Sequence, residues 1–221
     1  MAKPFRDRTE AGQVLAGLLA AYAGRPDALV LALPRGGVPV GYEVARALGV
    51  PMDVYLVRKL GVPGREELAM GAIAQGGVRV VNPGVVRDLG IPTAVIDAVA
   101  AGEEQELARR ERLYRGDRPT PDVRGRTVIL VDDGLATGAT MRAAVNAIRV
   151  QRPSRVVIAV PTAAPTTCDE FRADVDDVVC AMVPEPFHAV GLWYEDFGPP
   201  ADEEIRGLID QSLHVRAVSP Q

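Results

Sequence analysis

The stretch "VILVDDGLATGAT", residues 128–140, decides how the rest of the chain is read. Four apolar residues run directly into Asp132 and Asp133, and a loop of small and hydroxylated residues leads on to "GATMRAAVNAIRVQ" (138–151), which has helical spacing. This is a buried strand, a loop and a helix start. The first turn of a helix offers free backbone N–H groups and partial positive charge, which together seat a phosphate. Ala136, Gly138 and Ala139 allow close approach of an anion to the backbone, and Thr137 and Thr140 add hydroxyl donors. Two carboxylates beside such a seat would repel the anion itself. They make sense if they accept hydrogen bonds from the hydroxyls of an attached sugar, or help to hold a cation. A sugar phosphate meets all of these demands. A nucleoside-triphosphate loop would need Gly-Lys-Ser/Thr, and a dinucleotide fingerprint needs G-x-G-x-x-G; neither is present. Plain helix capping would need only one of the two aspartates.

Working outward, "ALVLAL" (28–33), "MDVYLV" (52–57), "RTVILV" (126–131), "RVVIAVP" (155–161) and "DDVVCAMV" (176–183) are apolar runs too short for helices and are expected to be strands. Between them, "VPVGYEVARALG" (38–49), 92–115, 138–151 and 165–175 are expected to be helices, as is the segment after Thr9, which is expected to cap it. Residues 58–71, "RKLGVPGREELAMG", carry glycines and a proline and are expected to form a loop, with a hairpin around Gly76-Gly77 after it. Alternation of this kind predicts an α/β fold with a doubly wound, mainly parallel sheet. The expected organisation is one domain over 1–221: a core over about 28–183, then a hood and tail over 184–221. Ligands of such sheets bind beyond the carboxyl ends of the strands, which singles out the positions after Leu33, Val57 and Val131.

The 221 residues carry a net charge of −4, which argues against binding nucleic acid by phosphate neutralisation. Arg109, Arg110 and Arg112 alternate with Glu103, Glu104, Glu106 and Glu111 and read as a solvated helix face. Cys168 and Cys180 have neither metal-site nor disulfide-framework spacing, and Cys180 is expected to be a small core residue. With no signal-like start and no membrane-length apolar run, the expectation is a cytoplasmic chain with no membrane partner.

The apolar run, Asp-Asp, three residues and Thr-Gly-x-Thr of 128–140 resemble the phosphoribosyl diphosphate-binding motif of the type I phosphoribosyltransferases. The resemblance spans roughly residues 28–200. It implies that Asp132 and Asp133 hold the ribose 2′- and 3′-hydroxyls, with Mg²⁺ as cofactor, and that Ala136, Thr137, Gly138, Ala139 and Thr140 wrap the 5′-phosphate. "LPRGGVPVG" stands where the family places its diphosphate loop, so Arg35, Gly36 and Gly37 are expected on the diphosphate, with a cis peptide before one of them. "VRKLGVPG" resembles the start of the flexible catalytic loop, and Arg58 and Lys59 are expected to close over the departing diphosphate. Exposed cations of a surface loop are the plainer alternative.

The acceptor is less legible. Where 6-oxopurine enzymes of this family carry an aspartate before the Thr-Gly, this chain has Ala136, as in adenine- and uracil-type motifs. Glu66, Glu67 and His188 are substitute base candidates. The hood is expected in "PEPFHAVGLWYEDFGPP" (184–200), with Phe187, Trp193 and Tyr194 stacking on a planar acceptor; the alternative is that these rings pack the tail helix. The resemblance implies transfer of phosphoribosyl to a nitrogenous acceptor, with a homodimer left open. A non-catalytic regulator sensing phosphoribosyl diphosphate or a nucleotide on the same fold is the competing expectation. A diphosphokinase-like enzyme that makes phosphoribosyl diphosphate is a third expectation, disfavoured because the larger tandem-domain chain of that type is absent.

Overall fold

In the computed structural model, which describes residues 3–215, helices and strands follow one another as α1 (Arg8–Leu18), β1 (Ala28–Ala32), α2 (Gly37–Leu48), β2 (Met52–Val54), β3 (Val57–Val62), β4 (Arg65–Ala74), β5 (Val78–Val81), α3 (Pro83–Asp88), α4 (Thr93–Arg115), β6 (Thr127–Val131), α5 (Ala139–Val150), β7 (Arg155–Thr162), α6 (Pro165–Phe171), β8 (Asp177–Met182) and α7 (Asp202–Val215). Residues 216–221 of the expected tail lie outside the described residues.

Five strands form a parallel sheet in the order β2-β1-β6-β7-β8. Side chains alternate across a strand, and the two apolar layers follow that period of two. Val30, Ala32, Ile129, Val131, Val157 and Ala159 pack on one face with α1, α2, α4 and α7. Leu29, Leu31, Val128, Leu130, Val156 and Ile158 pack on the other with α5 and α6. Burial on both faces is why these strands read as unbroken apolar runs, each large side chain contributing about 1.5–3 kcal/mol. The fold is thus the doubly wound α/β sheet that the alternation predicts. Its strand order reverses between β1 and β6, the position where such sheets open a crevice.

Four local expectations need correction. Asp7, not Thr9, caps α1, its side chain accepting from the Glu10 N–H at 2.8 Å. The expected strand over 52–57 splits: β2 ends at Val54, and Val57 opens a separate three-stranded antiparallel sheet, β3-β4-β5. Residues 58–71 are therefore a hairpin, not an irregular loop, turning at Pro63-Gly64 with bulges around Gly61. Glycine and proline there serve a turn and a bulge instead of breaking the strands. Finally, Cys168 is the fully buried cysteine and Cys180 is half-buried. The hairpin around Gly76-Gly77 is present, and the short α3 after it, capped by Asn82, was not foreseen. No helix among the described residues is long and apolar enough to cross a membrane.

Candidate active site

Val131 ends β6 at the crevice, and the chain passes through Asp132 and Asp133 into the loop before α5. Across the switch point, Leu33 donates its N–H to the Val131 carbonyl at 2.8 Å, so the loop after β1 lies directly against the loop after β6. Gly36 and Gly37 make that approach possible. A Cβ on Gly36 would overlap the Asp133 carboxylate, and one on Gly37 would lie 2.6 Å from the Val131 carbonyl oxygen. The Pro34–Arg35 peptide is cis, one of the bonds at which the resemblance places a cis peptide.

The two carboxylates are differently committed. Asp132 accepts the Asp133 N–H through Oδ1 at 2.9 Å. Burial, followed by the negative charge of Asp133, holds its carboxyl well above the usual range. Asp133 is also pushed up by burial, but Arg8 of α1 opposes the shift. Arg8 places both Nε and Nη2 at 2.9 Å from Asp133 Oδ2, donates from Nη1 to the Gly198 carbonyl at 2.7 Å, and lies 4.1 Å from the centre of the Phe197 ring. The Tyr194 hydroxyl donates to the Asp133 carbonyl at 2.6 Å. The first helix and the hood thus clamp the second aspartate from behind.

The loop from Ala136 to Thr140 is supported by α6 and the strand before it. Leu135 donates to the Thr162 carbonyl and accepts from the Ala164 N–H, both at 2.9 Å. Thr167 donates its hydroxyl to the Ala136 carbonyl at 2.6 Å. Gly138 takes a φ of +70° as the α5 N-cap, where a Cβ would sit 2.7 Å from the Phe171 ring, so glycine serves both turn and packing. Asp132, the loop residues 134–141 and Val190 of the hood line a pocket of about 170 Å³.

A larger cleft of about 610 Å³ opens beside it, lined by Pro34 and Thr140 on the sheet side and by Arg58, Lys59, Glu66 and Glu67 of the hairpin. Arg58 pairs with Glu103 of α4 at 2.6 Å, and Lys59 with Glu67 at 3.2 Å. Glu66 accepts the Gly64 N–H and so holds the hairpin turn.

The fold brings Asp132, Asp133, Gly36, Gly37 and residues 136–140 together at the crevice, with Arg58 and Lys59 across the adjoining cleft. Arg35 is half-exposed and lies 3.9 Å from Asp202 of α7, outside the cleft lining. Tyr194 is a correction: the residue is only 6% exposed and its ring packs between Phe5 and Phe197, so it offers no face to a planar acceptor. Phe187 and Trp193 are half-buried, and the hood residue in the smaller pocket is Val190. His188 is exposed. Sequence reading missed Arg8, Thr167, Phe171 and Glu103. Only Glu103 carried a signal, as a charge on the inward stripe of α4.

Comparison with known proteins shows the family. The model of the phosphoribosyl transferase domain matches residues 9–190, and the chain belongs to that family. A Mycobacterium tuberculosis protein named "Putative phosphoribosyl transferase" is 44% identical over 210 residues, 95% of this chain and 47% of its own length. The chain therefore spans about half the length of that curated relative. A "Bifunctional protein PyrR" from Chloroflexus aurantiacus is 35% identical over 130 residues, covering 57% of this chain and 65% of its own. The crystal structure of TT1426 from Thermus thermophilus superposes with a TM-score of 0.87 at 44% identity, covering 94% of this chain and 98% of that one.

Proposed function

We propose that the chain transfers the 5-phosphoribosyl group from phosphoribosyl diphosphate to a nitrogenous acceptor, a nucleobase being the best fit, and releases diphosphate. The carrying observation is the adjacency, at one switch point, of Asp132, the Ala136–Thr140 loop and the Gly36-Gly37 approach. In this reading residues 136–140 bind the 5′-phosphate, and Asp132 and Asp133 accept from the ribose hydroxyls. The loop after β1 receives the diphosphate, with Arg35 available to it from the rim. As the C1′–O bond breaks, negative charge grows on the diphosphate and the sugar becomes oxocarbenium-like. Arg58 and Lys59 stabilise the first, and closure of the hairpin over the cleft excludes water.

No group of three or more His, Cys, Asp or Glu among the described residues is arranged to hold a metal by itself. Two aspartates, one already bound to Arg8, fit a Mg²⁺ held mainly by the oxygens of the substrate. When bound, it would neutralise charge on the diphosphate. The acceptor would lie between the hood and the hairpin, with Phe187 and Trp193 as its candidate aromatic walls and Glu66 or Glu67 as candidate bases.

A second reading, a sensor of phosphoribosyl diphosphate without turnover, is favoured by one observation: Arg8 already occupies the Asp133 carboxylate. Diphosphate release, measured over a panel of nucleobases, separates the two. Release with any base, lost in Asp132→Asn, establishes the transferase. Binding without release across the panel leaves the sensor, and no binding of phosphoribosyl diphosphate removes both.

A further inference from the structure

Helix α4 turns Ile96, Val99, Ala100, Leu107 and Tyr114 toward the sheets, at the spacing of one apolar stripe. Glu103 and Arg110 fall on the same stripe, seven residues apart. A charge on an inward stripe is costly unless it faces a polar space, and both residues face one: they line the 610 Å³ cleft opposite Lys59 and Thr140. Arg110 also borders, with Arg58, Pro34 and Thr140, a small cavity of about 20 Å³. The Arg/Glu run of α4 is therefore not wholly a solvated face.

The cations of the cleft differ in what holds them. The Arg58–Glu103 and Lys59–Glu67 pairs each lie within the lining. Arg110 instead donates from Nε to Glu106 Oε1 at 2.7 Å, and Glu106 is not a lining residue. Glu106 is also gripped by Arg109, at 2.7 Å through Oε2 and 3.0 Å through Oε1. If Arg110 turned into the cleft, Glu106 would keep a bidentate partner, so the move would cost one part-buried hydrogen bond and leave no unpaired carboxylate. A planar guanidinium released in this way matches phosphate oxygens better than a half-exposed carboxylate it already shares.

We propose that Arg110 of α4 is a third cleft-lining cation for the diphosphate group, beside Arg58 and Lys59, parked on Glu106 until the anion enters the cleft. The inference rests on the phosphoribosyl diphosphate reading above, and adds to it a helix that the strand-end loops do not include. Glu67, with its side chain 94% exposed, leaves Lys59 with as little loss, so two of the three cations are releasable on demand.

The test is calorimetric titration of the full chain with inorganic diphosphate, and separately with ribose 5-phosphate, which lacks the diphosphate. Arg110→Gln should weaken diphosphate binding about tenfold, the scale of one charge-assisted contact, and leave ribose 5-phosphate binding unchanged. Arg110→Lys should recover part of the loss. Glu106→Gln, which frees the arginine, should tighten diphosphate binding. Wild-type diphosphate affinity in Arg110→Gln overturns the assignment, as does equal weakening of both ligands, which would mark general damage. If the unaltered chain binds ribose 5-phosphate but no diphosphate, Arg110 has no such role while the phosphate loop stands; if it binds neither, the underlying reading fails.

Discussion

The loop between β6 and α5 and the hairpin of β3 and β4 border adjoining parts of one crevice but are supported in opposite ways. The loop is fastened from behind by Thr167, Phe171, Val190 and the Leu135–Ala163 bridge, and its neighbouring Asp133 is clamped by Arg8 and Tyr194. The hairpin tip, residues 63–68, is exposed throughout and borders the cleft through Pro63, Glu66 and Glu67, with the Lys59–Glu67 pair as its tie to the strand. A ground-state phosphate is best held by a preorganised seat, whereas charge on a departing group is best met by a part that arrives. Under the proposed function, the difference gives recognition to the loop and closure to the hairpin.

The largest effect should come from the rigid side. Asp132→Asn is expected to lower diphosphate release by roughly 10²–10³-fold, because an amide cannot accept hydroxyl hydrogen bonds as a carboxylate does. The same change should raise thermal stability at pH 7. The folded carboxyl is pushed above its ordinary value by burial and by Asp133, so its ionisation costs the folded state more than the unfolded one. That cost is absent at low pH and grows as pH rises through the carboxylate range, so the stability gap between variant and parent should close near pH 4, within reach of the ordinary aspartate value of about 3.9. Melting curves across pH check this; a gap that does not change with pH would show that Asp132 bears no such penalty.

Arg8→Gln should act next, on stability. It leaves Asp133 without its ion-pair partner in a site where the two side chains are only 10% and 16% exposed, at a cost of about 3 kcal/mol. For a chain of this length that is a fall in melting temperature of roughly 6–12 °C, with Arg8→Lys recovering part. A shift under about 1 °C would make the clamp incidental, since that corresponds to well under 1 kcal/mol. Gly36→Ala drives a Cβ into the Asp133 carboxylate and should weaken phosphoribosyl diphosphate binding about tenfold; unchanged affinity in titration would show that the two loops need not touch. The smallest effect belongs to the hairpin. Lys59→Ala should lower kcat about three- to tenfold while KM moves little, as expected of a cation that acts on charge developing in the transition state. Hydrogen exchange should be faster over 63–68 than over 134–140, and equal protection of the two would erase the contrast.

Much of the architecture is legible in the sequence. The strands after Asp27, Arg126 and Ser154 are buried on both faces, so composition alone marks them, and the alternation with helices follows from covering those faces. The error at 58–71 has a local cause: Gly61, Pro63 and Gly64 look like loop residues because a bulged hairpin needs a turn and a kink within a few positions. Tyr194 of the hood misled for another reason. It joins a small satellite core with Phe5 and Ala11, and a ring wanted by a core has the same composition as a ring wanted by a ligand.

By itself the sequence determined what depends on neighbouring residues: the buried strand running into Asp132-Asp133, the helix start of α5, and the run of small residues between them that leaves the backbone open to close approach. These are demands of local backbone geometry and periodicity, and they leave their trace within a dozen positions. The tertiary structure alone decided that Asp133 answers to an arginine 125 residues away, that Thr167 holds the loop before α5, and that Arg110 borders the cleft. Such pairings depend on where the chain returns in space, and an arginine that will be clamped is chemically the same, in sequence, as one left in water.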